Sequence, residues 1–317
     1  MFRTAALTAA LAAAFAAAPA CAATSLDLGS YSVSSNVKLD ALGGMGLEAS
    51  AVAYAKDRGT LFFVGDEGTG IVEISLTGQT LGSMAFNWAG TGSSNNDAEG
   101  LTYLGNGQFV VVDERPQMAY RFSFAAGTTL ALNSQPKVAI TGNSTSVGNV
   151  GTEGISYDPR DGRFWSVKQD NPAELRVATL NFAVGGGSAT STTLFSGASS
   201  LFGLNSLSDI AVLGGVDRLV GTTAADNLLI LSLDSTKLIE VDRNGNTLSS
   251  FNLGSVTSQA IEGVTIDEKG TIYLVAEDSG TGNSRLITLT SPVPEPTSLA
   301  LMAGGLALIG WRARRRS

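Results

Sequence analysis

Carboxylates at repeated positions are the residues of this sequence whose type and spacing could do chemistry. One short pattern occurs five times, as "ASAVAY", "AEGLTY", "TEGISY", "LSDIAV" and "IEGVTI". Its second residue is Ser50, Glu99, Glu153, Ser208 and Glu262 in turn, and Glu48 and Asp97 stand two residues before the first two of these positions. A second acidic set follows the next strand-like run of most repeats: Asp66, Glu67, Asp113, Glu114, Asp170, Glu277 and Asp278.

Carboxylates from several repeats would repel one another if they met, unless a cation neutralised them. Calcium suits such a set, since it takes 6 to 8 oxygen ligands at about 2.3–2.6 Å. We therefore expect calcium as a cofactor, with these ligands: Glu99, Glu153, Glu262, Asp113, Glu114 and Glu277. The structural alternative is that the glutamates cap backbone amides and hold neighbouring repeats together, while the second set is solvated.

The residue types that are absent limit the catalytic chemistry. The sequence has no histidine and one cysteine, Cys21, which excludes Ser-His-Asp and Cys-His catalysis and zinc held by histidine. If the protein is an enzyme, we expect a metal-dependent hydrolase of a lactone or phosphoester, in which a carboxylate such as Glu153 activates water. Two non-catalytic functions also fit the sequence: a binding module, and a structural matrix protein without an ion.

The spacing of the repeats predicts the elements that position these carboxylates. The second residues of the five copies are 49, 54, 55 and 54 residues apart, and each unit continues with a turn and further β-branched or aromatic runs. Such units are typical of propeller blades, so we predict an all-β fold over residues 28–290, a five-bladed β-propeller. Residues 28–39 would add the outer strand of the last blade. Six blades are the alternative, if "SATSTTLF" and a long insert in the fourth unit form another.

A propeller would bring the two acidic sets together. The first strand of a blade lines the central channel and the second runs back beside it. The start of the first strand and the end of the second therefore lie at the same mouth of the channel.

Other candidates are weaker. Arg115 could bind an anionic substrate group or pair with the adjacent Asp113 and Glu114, and pairing is favoured. Trp88 and Trp165 could stack on a sugar, but core packing is commoner. "DRNGN" at residues 242–246 lacks the downstream glutamate of an EF-hand, so a hairpin turn is expected.

The two ends of the chain predict export. Arg3 and an Ala/Leu-rich run before "APACAA" are typical of a signal peptide, predicted as residues 1–23 and removed by signal peptidase. A lipoprotein site at Cys21 is the disfavoured alternative. Residues 293–317 combine a Pro-Glu-Pro motif, an apolar span and an arginine cluster, and they resemble a PEP-CTERM sorting signal on Pro294, Glu295 and Pro296. The resemblance implies transient membrane anchoring, cleavage by an exosortase, and delivery to the cell surface or exopolysaccharide matrix of a Gram-negative bacterium.

The charge of the mature chain disfavours nucleic acid as a partner. The predicted signal peptide and tail hold five of the 20 basic residues and one of the 28 acidic ones, which leaves a net charge of about −12. Phosphate binding needs a basic surface, whereas an acidic one attracts cations.

A second resemblance covers most of the remaining chain. "YSVSSNVKL", "GNGQFVVVDERPQ", "TEGISYDPRDGRFWSVKQ" and "IEGVTIDEKGTIYLVAED" together resemble the SdiA-regulated proteins, relatives of NHL-repeat propellers. The resemblance implies a five-bladed propeller with a calcium site. Asp209, where glycine is usual, and the long fourth unit are departures from the family pattern. We expect an exported, calcium-binding propeller that acts as a binding module, with exopolysaccharide or another surface component as its partner.

Overall fold

The computed structural model describes residues 23–143, 145–197 and 202–292. The predicted signal peptide, up to Ala22, and the Pro-Glu-Pro tail lie outside the described residues. Within the described part, no helix is long and apolar enough to cross a membrane. The structure there is built from short strands and single turns of 3-10 helix.

The strands form five sheets arranged as five blades, and all their strand pairs are antiparallel except the pair of β5 with β9. Strand β1 (Ser32–Lys38) precedes blade 1, which holds β2 (Ala49–Ala55), β3 (Thr60–Gly65), β4 (Gly70–Ile74) and β5 (Thr80–Asn87). Blade 2 holds β6 (Ala98–Gly105), β7 (Gln108–Asp113), β8 (Met118–Ser123) and β10 (Lys137–Ala139), while β9 (Thr129–Ala131) pairs in parallel with β5. Blade 3 holds β11 (Thr152–Asp158), β12 (Arg163–Lys168), β13 (Glu174–Asn181) and β14 (Ser188–Ser196). Blade 4 holds β15 (Asp209–Val212), β16 (Leu228–Ser232), β17 (Lys237–Val241) and β18 (Thr247–Asn252). Blade 5 holds β19 (Ile261–Ile266), β20 (Ile272–Ala276) and β21 (Arg285–Thr290).

The ring closes through the two ends of the propeller, as predicted from residues 28–39. Strand β1 pairs with β21 and becomes the outer strand of blade 5, with Ser32 opposite Thr290. The six-blade alternative is wrong, because "SATSTTLF" lies within β14, the fourth strand of blade 3. The insert of the fourth unit forms two 3-10 turns, Asp217–Leu219 and Thr223–Asp226, between β15 and β16.

The hydrophobic core is divided among the junctions between blades. Five clusters of buried side chains each join two neighbouring blades, for example Phe62 with Phe109 between blades 1 and 2. Second strands such as β7 and β16 are buried on both faces, so their sequences are continuously apolar rather than alternating. Outer strands such as β14 are largely exposed.

The glycine in the repeated "EG" pattern allows the first strands to pack closely around the channel. A Cβ on Gly154 would lie 2.6 Å from the Cα of Asp209 in blade 4, and a Cβ on Gly263 would lie 2.9 Å from the Cα of Ala51 in blade 1. Any side chain at these two positions would therefore overlap the neighbouring backbone.

The direction of the strands defines two channel mouths. The first strands β2, β6, β11, β15 and β19 all begin at one end, which we call the acidic mouth, and run toward the other, which we call the far mouth. Strand β21 is antiparallel to β20, so it also runs from the acidic mouth and ends at the far mouth.

Candidate functional site: a carboxylate cluster at the acidic mouth

A β-bulge aims each repeated glutamate at the acidic mouth. In four blades the pairing of the first and second strands slips by one residue, between Ala49 and Ala51, Ala98 and Gly100, Thr152 and Gly154, and Ile261 and Gly263. The extra residue is the second of the repeated pattern: Ser50, Glu99, Glu153 or Glu262. A bulge leaves its extra residue out of the ladder and turns the side chain away from the regular alternation. The bulges thus collect equivalent side chains from four blades.

The second acidic set is held beside the first by a repeated backbone hydrogen bond. The residue after each second strand donates its N–H to the residue before the bulge, from Asp66 to Glu48 at 3.0 Å and from Glu114 to Asp97 at 3.0 Å. Glu277 does the same to Ala260 at 2.9 Å. The predicted convergence of the two sets is present. We call it the carboxylate cluster, and it comprises Glu48, Asp66, Asp97, Glu99, Glu114, Glu153, Glu262 and Glu277.

The tightest part of the cluster contains residues from two blades. Carboxylate oxygens of Asp66, Asp97 and Glu99 all lie within 4.8 Å of one another. Glu99 and Asp97 are buried and Asp66 is half-buried. Two oxygens that share one calcium ion at about 2.3–2.6 Å can be at most about 5 Å apart. The three side chains therefore have a spacing at which one ion could contact all of them.

Burial and mutual repulsion make the charged form of the cluster costly. Burial, followed by the charges of Glu262 and Asp66, raises the pKa of Glu99 well above its usual range. Burial, with the charges of Glu99 and Glu114, does the same to the pKa of Glu153. Burial and the neighbouring Glu277 raise the pKa of Glu262 to about 9. In the absence of a cation, burial and mutual repulsion therefore favour the protonated forms of these groups.

The outer members of the cluster show the same effect. Burial, then the charges of Glu277 and Asp97, raises the pKa of Asp66 to about 6. A hydrogen bond with Asp278, together with partial burial, raises the pKa of Glu48 to about 8. Burial raises the pKa of Glu114 to about 7, although the N–H of Gly151, which donates to its Oε1 at 2.7 Å, opposes the shift.

The cluster has more carboxylates than protein groups to neutralise them. Among the described residues, Arg115 is the only Lys or Arg in an ion pair with it, donating from Nε to Asp97 Oδ2 at 2.6 Å and lying 3.9 Å from Glu114 Oε2. Oδ1 of Asp66 and Oε2 of Glu114 are buried and have no hydrogen-bond partner among the described residues. Buried oxygens without donors are the ligands that a hard cation would satisfy. The residues present therefore fit calcium; Asp66, Asp97 and Glu99 would be its first ligands, with Glu262, Glu153 and Glu114 around them.

The remaining predicted acidic residues differ in their position. Asp113, predicted as a ligand, lies beside Asp97 of the cluster; its Oδ1 accepts a hydrogen bond from Ser93 Oγ at 3.1 Å, and its Oδ2 is buried without a hydrogen-bond partner among the described residues, so its role as a ligand stays a prediction. Burial raises the pKa of Asp113 to about 7, and its charged neighbours are Asp97 and Arg115. Glu67 and Asp170 are exposed. Sequence reasoning placed Asp66 and Asp97 near the mouth but did not assign them as ligands, since only the geometry shows how close they come to Glu99.

The remaining weak candidates all make contacts within the protein. Arg115 pairs mainly with Asp97 rather than with the adjacent Asp113 and Glu114, and its guanidinium also donates to Asn149. Trp88 and Trp165 are buried, the latter under the guanidinium of Arg243 at 3.6 Å. "DRNGN" is the hairpin turn between β17 and β18, in which Asp242 Oδ1 accepts the N–H groups of residues 244 and 246 at 2.9 Å.

These features define a five-bladed β-propeller with a buried carboxylate cluster at one mouth of its channel. The sequence matches the SdiA-regulated family over residues 25–279, and the chain belongs to that family. Residues 292–316 match the PEP-CTERM protein-sorting motif. Both resemblances noted in the sequence are thereby confirmed.

Solved structures with a similar arrangement are distant in sequence. A luciferin-regenerating enzyme shares 9% identity, with 81% of this chain and 96% of that chain covered and a TM-score of 0.47. The WD40 β-propeller domain of Doa1 shares 12% identity, with 82% of this chain and 97% of that chain covered and a TM-score of 0.45. At these values the likeness gives no information about function.

Proposed function

We propose that this protein is an exported, calcium-stabilised propeller that acts as a binding module at the cell surface or in the exopolysaccharide matrix. The observation that carries the proposal is the cluster of Asp66, Asp97 and Glu99, whose oxygens lie within 4.8 Å of one another. Calcium there would neutralise the cluster and tie blade 1 to blade 2. The PEP-CTERM match supports export and processing by an exosortase.

The exit point of the sorting tail supports an outward-facing acidic mouth. Strand β21 ends at the far mouth with Thr290, and Ser291 there lies 2.8 Å from Ser30, measured between their Oγ atoms. The tail begins directly after this point. While the tail is anchored in the membrane, the far mouth is therefore on the tethered side, and the acidic mouth with its calcium is turned away toward surface components.

A metal-dependent hydrolase is the alternative, with Glu153 as the residue that activates water. An enzyme would need room for a substrate beside the ion. Two of the cavities bounded by described residues, of about 450 and 330 Å³, are lined by residues other than Asp66, Asp97 and Glu99. Glu153 itself is buried. Nothing in this geometry favours the hydrolase over the binding module, so we keep it as an outcome of the test. Substrate binding by Arg115 also stays a prediction.

The test is retention on exopolysaccharide from the producing bacterium. The ring closes with its own strands, so residues 23–292 can be used as a self-contained domain. We expect retention in calcium, release by EDTA, loss of retention in Glu99→Gln, and no change in Asp217→Asn, whose side chain is 67% exposed at the far mouth. Equal retention in EDTA would contradict the role of calcium. Turnover of a lactone or phosphoester by the wild type but not by Glu153→Gln would establish the hydrolase instead.

A further inference from the structure

The far half of the channel contains a cavity of about 450 Å³ that is separate from the carboxylate cluster. Each blade contributes the same three consecutive positions of its first strand: residues 52–54, 101–103, 155–157, 210–212 and 264–266. These tripeptides are "VAY", "LTY", "ISY", "IAV" and "VTI", so most of the wall is apolar. The volume lies in the range of small-molecule sites, about 300–1,000 Å³.

Polar groups are placed in this apolar wall in a regular way. Thr102 Oγ1 accepts the N–H of Tyr157 at 2.9 Å, Ser156 Oγ accepts that of Val212 at 3.1 Å, and Thr265 Oγ1 accepts that of Tyr54 at 3.1 Å. Each bond links one blade to the next. Among the described residues, none of these three hydroxyls donates a hydrogen bond. Each therefore keeps a hydrogen to offer to a ligand.

Two of the five junctions lack this hydroxyl. Ala53 and Ala211 occupy the position in blades 1 and 4, so no side chain at that position meets the N–H of Tyr103 or Ile266 in the following blade. Tyr103 and Ile266 occupy the same strand position as Tyr157, Val212 and Tyr54. In those three residues the N–H points toward the preceding blade. By the same strand geometry we expect these two N–H groups to face the channel, which would give its wall donors of two kinds, hydroxyl and backbone N–H.

The charges at the rim argue against an anionic ligand. The charged residues that line the cavity are Lys56, Asp57 and Glu268. The ammonium of Lys56 is already paired with Asp217 at 3.1 Å. Asp57 accepts hydrogen bonds from Tyr103 Oη at 2.5 Å and from the N–H of Asn106 at 3.2 Å. No free cation faces the cavity among the described residues that line it, and the carboxylates at the rim would repel an acid.

We propose that the far mouth binds a neutral, largely apolar small molecule whose carbonyl oxygens accept hydrogen bonds from Thr102, Ser156 and Thr265. The apolar wall would bury the body of the ligand, and the donors would fix its oxygens. This site does not depend on calcium at the acidic mouth, so its failure and the failure of the proposed function can be told apart.

Fluorescence titration with two naphthalene probes tests the proposal. The first is a neutral ketone, 6-propionyl-2-dimethylaminonaphthalene, and the second is the anion anilinonaphthalene sulfonate. We expect the ketone to bind residues 23–292 with a blue-shifted emission, equally in calcium and in EDTA. We expect the sulfonate to bind at least roughly tenfold more weakly. Equal binding of the two probes, or no binding of the ketone, would overturn the proposal.

Two variants locate the site. Gly215 lines the cavity, and a Cβ there would meet no atom within 4 Å, so Gly215→Trp should block the cavity and abolish ketone binding without disturbing the fold. The matched control is Thr193→Phe, on the exposed outer strand of blade 3, which should bind as the wild type does. Thr265→Val should weaken binding by about three- to tenfold through loss of one donor. Wild-type affinity in Gly215→Trp would overturn the location, and wild-type affinity in Thr265→Val would overturn the role of the hydroxyls.

Discussion

The carboxylate of Asp209 accepts a hydrogen bond from the backbone N–H of Val264 at 2.7 Å, across the junction between blades 4 and 5. Its other oxygen accepts the N–H of Ile210 at 2.8 Å. Asp209 stands where the neighbouring repeats have glycine, and it is buried. At three other junctions a Thr or Ser hydroxyl makes an equivalent link between first strands. Asp209 thus supplies an inter-blade bond where Ala211 cannot.

Removing this carboxylate should weaken the blade 4–5 junction. Asp209→Ala leaves the N–H of Val264 buried without its partner, which costs about 1–3 kcal/mol. Urea unfolding would measure the loss, with Asp217→Ala, an exposed acidic residue near the far mouth, as the control that should change little. Equal stability of the two variants would show that the bond to Val264 has no net effect.

Glu240 should be required to hold the N-terminal segment on the propeller. Its side chain is fully buried and accepts hydrogen bonds from the N–H of Leu26 at 2.7 Å, Asn227 Nδ2 at 2.8 Å and Ser249 Oγ at 2.8 Å. Glu240→Ala should cost about 3 kcal/mol or more, since several buried donors lose their acceptor.

Hydrogen exchange would show where the effect of Glu240→Ala falls. We expect faster exchange at residues 26–31, which pack in the cluster between blades 4 and 5, and unchanged exchange in blade 2. A uniform increase over all blades would instead mean that the segment unfolds only together with the whole ring.

Gly154 should not tolerate even a methyl group. A Cβ there would lie 2.5 Å from Asp209 Oδ1 and 2.6 Å from Asp209 Cα, so the two first strands would have to separate. We expect Gly154→Ala to lose about 1–3 kcal/mol, as overpacked sites do. Thermal unfolding would measure this loss. The control is Gly215→Ala, whose Cβ would meet nothing within 4 Å, and its melting temperature should be close to that of the wild type. Equal melting temperatures of Gly154→Ala and Gly215→Ala would mean that the two first strands can separate at no cost in stability.

Without calcium, the carboxylate cluster should make the protein less stable as the pH rises. Burial raises the pKa of Asp66 to about 6 and that of Glu262 to about 9, whereas unfolded carboxyl groups titrate near 4. The folded state therefore binds more protons than the unfolded state between these values. Its stability is highest below about pH 4 as far as these groups are concerned, and falls as the pH rises toward about 9.

Melting temperatures in EDTA from about pH 5 to 9 would check this sign. We expect a decline in EDTA and a smaller decline, or a rise, in excess calcium, because the ion prefers the deprotonated oxygens. A melting temperature that rises with pH in EDTA would show that the cluster is neutralised by the protein itself.

The fold could be predicted from the sequence because the repeat is regular. The near-constant spacing of the patterns at Ser50, Glu99, Glu153, Ser208 and Glu262 predicts five blades, and the apolar runs after them are the second strands. The outer strand of blade 5 was also predictable, since residues 28–39 precede the first full unit. The alternative of a sixth blade is wrong because "SATSTTLF" lies in the outer strand of blade 3 and the insert forms 3-10 turns rather than further strands.

The candidate site was predictable only in part. Its general place follows from strand order, which brings Glu99 and Glu114 to one mouth. The β-bulges that turn Glu99, Glu153 and Glu262 are register shifts between paired strands, and a single strand carries no direct sign of them. The closeness of Asp66 to Glu99 depends on the angle between two blades, which the spacing of residues within a blade does not determine.

Thermal unfolding of residues 23–292 in EDTA and in excess calcium tests the central claim most directly. Calcium at 100 times its dissociation constant would stabilise the folded state by about 2.7 kcal/mol, or roughly 5–10 °C. We predict this rise for the wild type and for Asp217→Asn, and its loss in Glu99→Gln, whose side chain is one of the three closest oxygen donors. Coincident curves in EDTA and calcium for the wild type would contradict the claim that this propeller holds calcium at its acidic mouth.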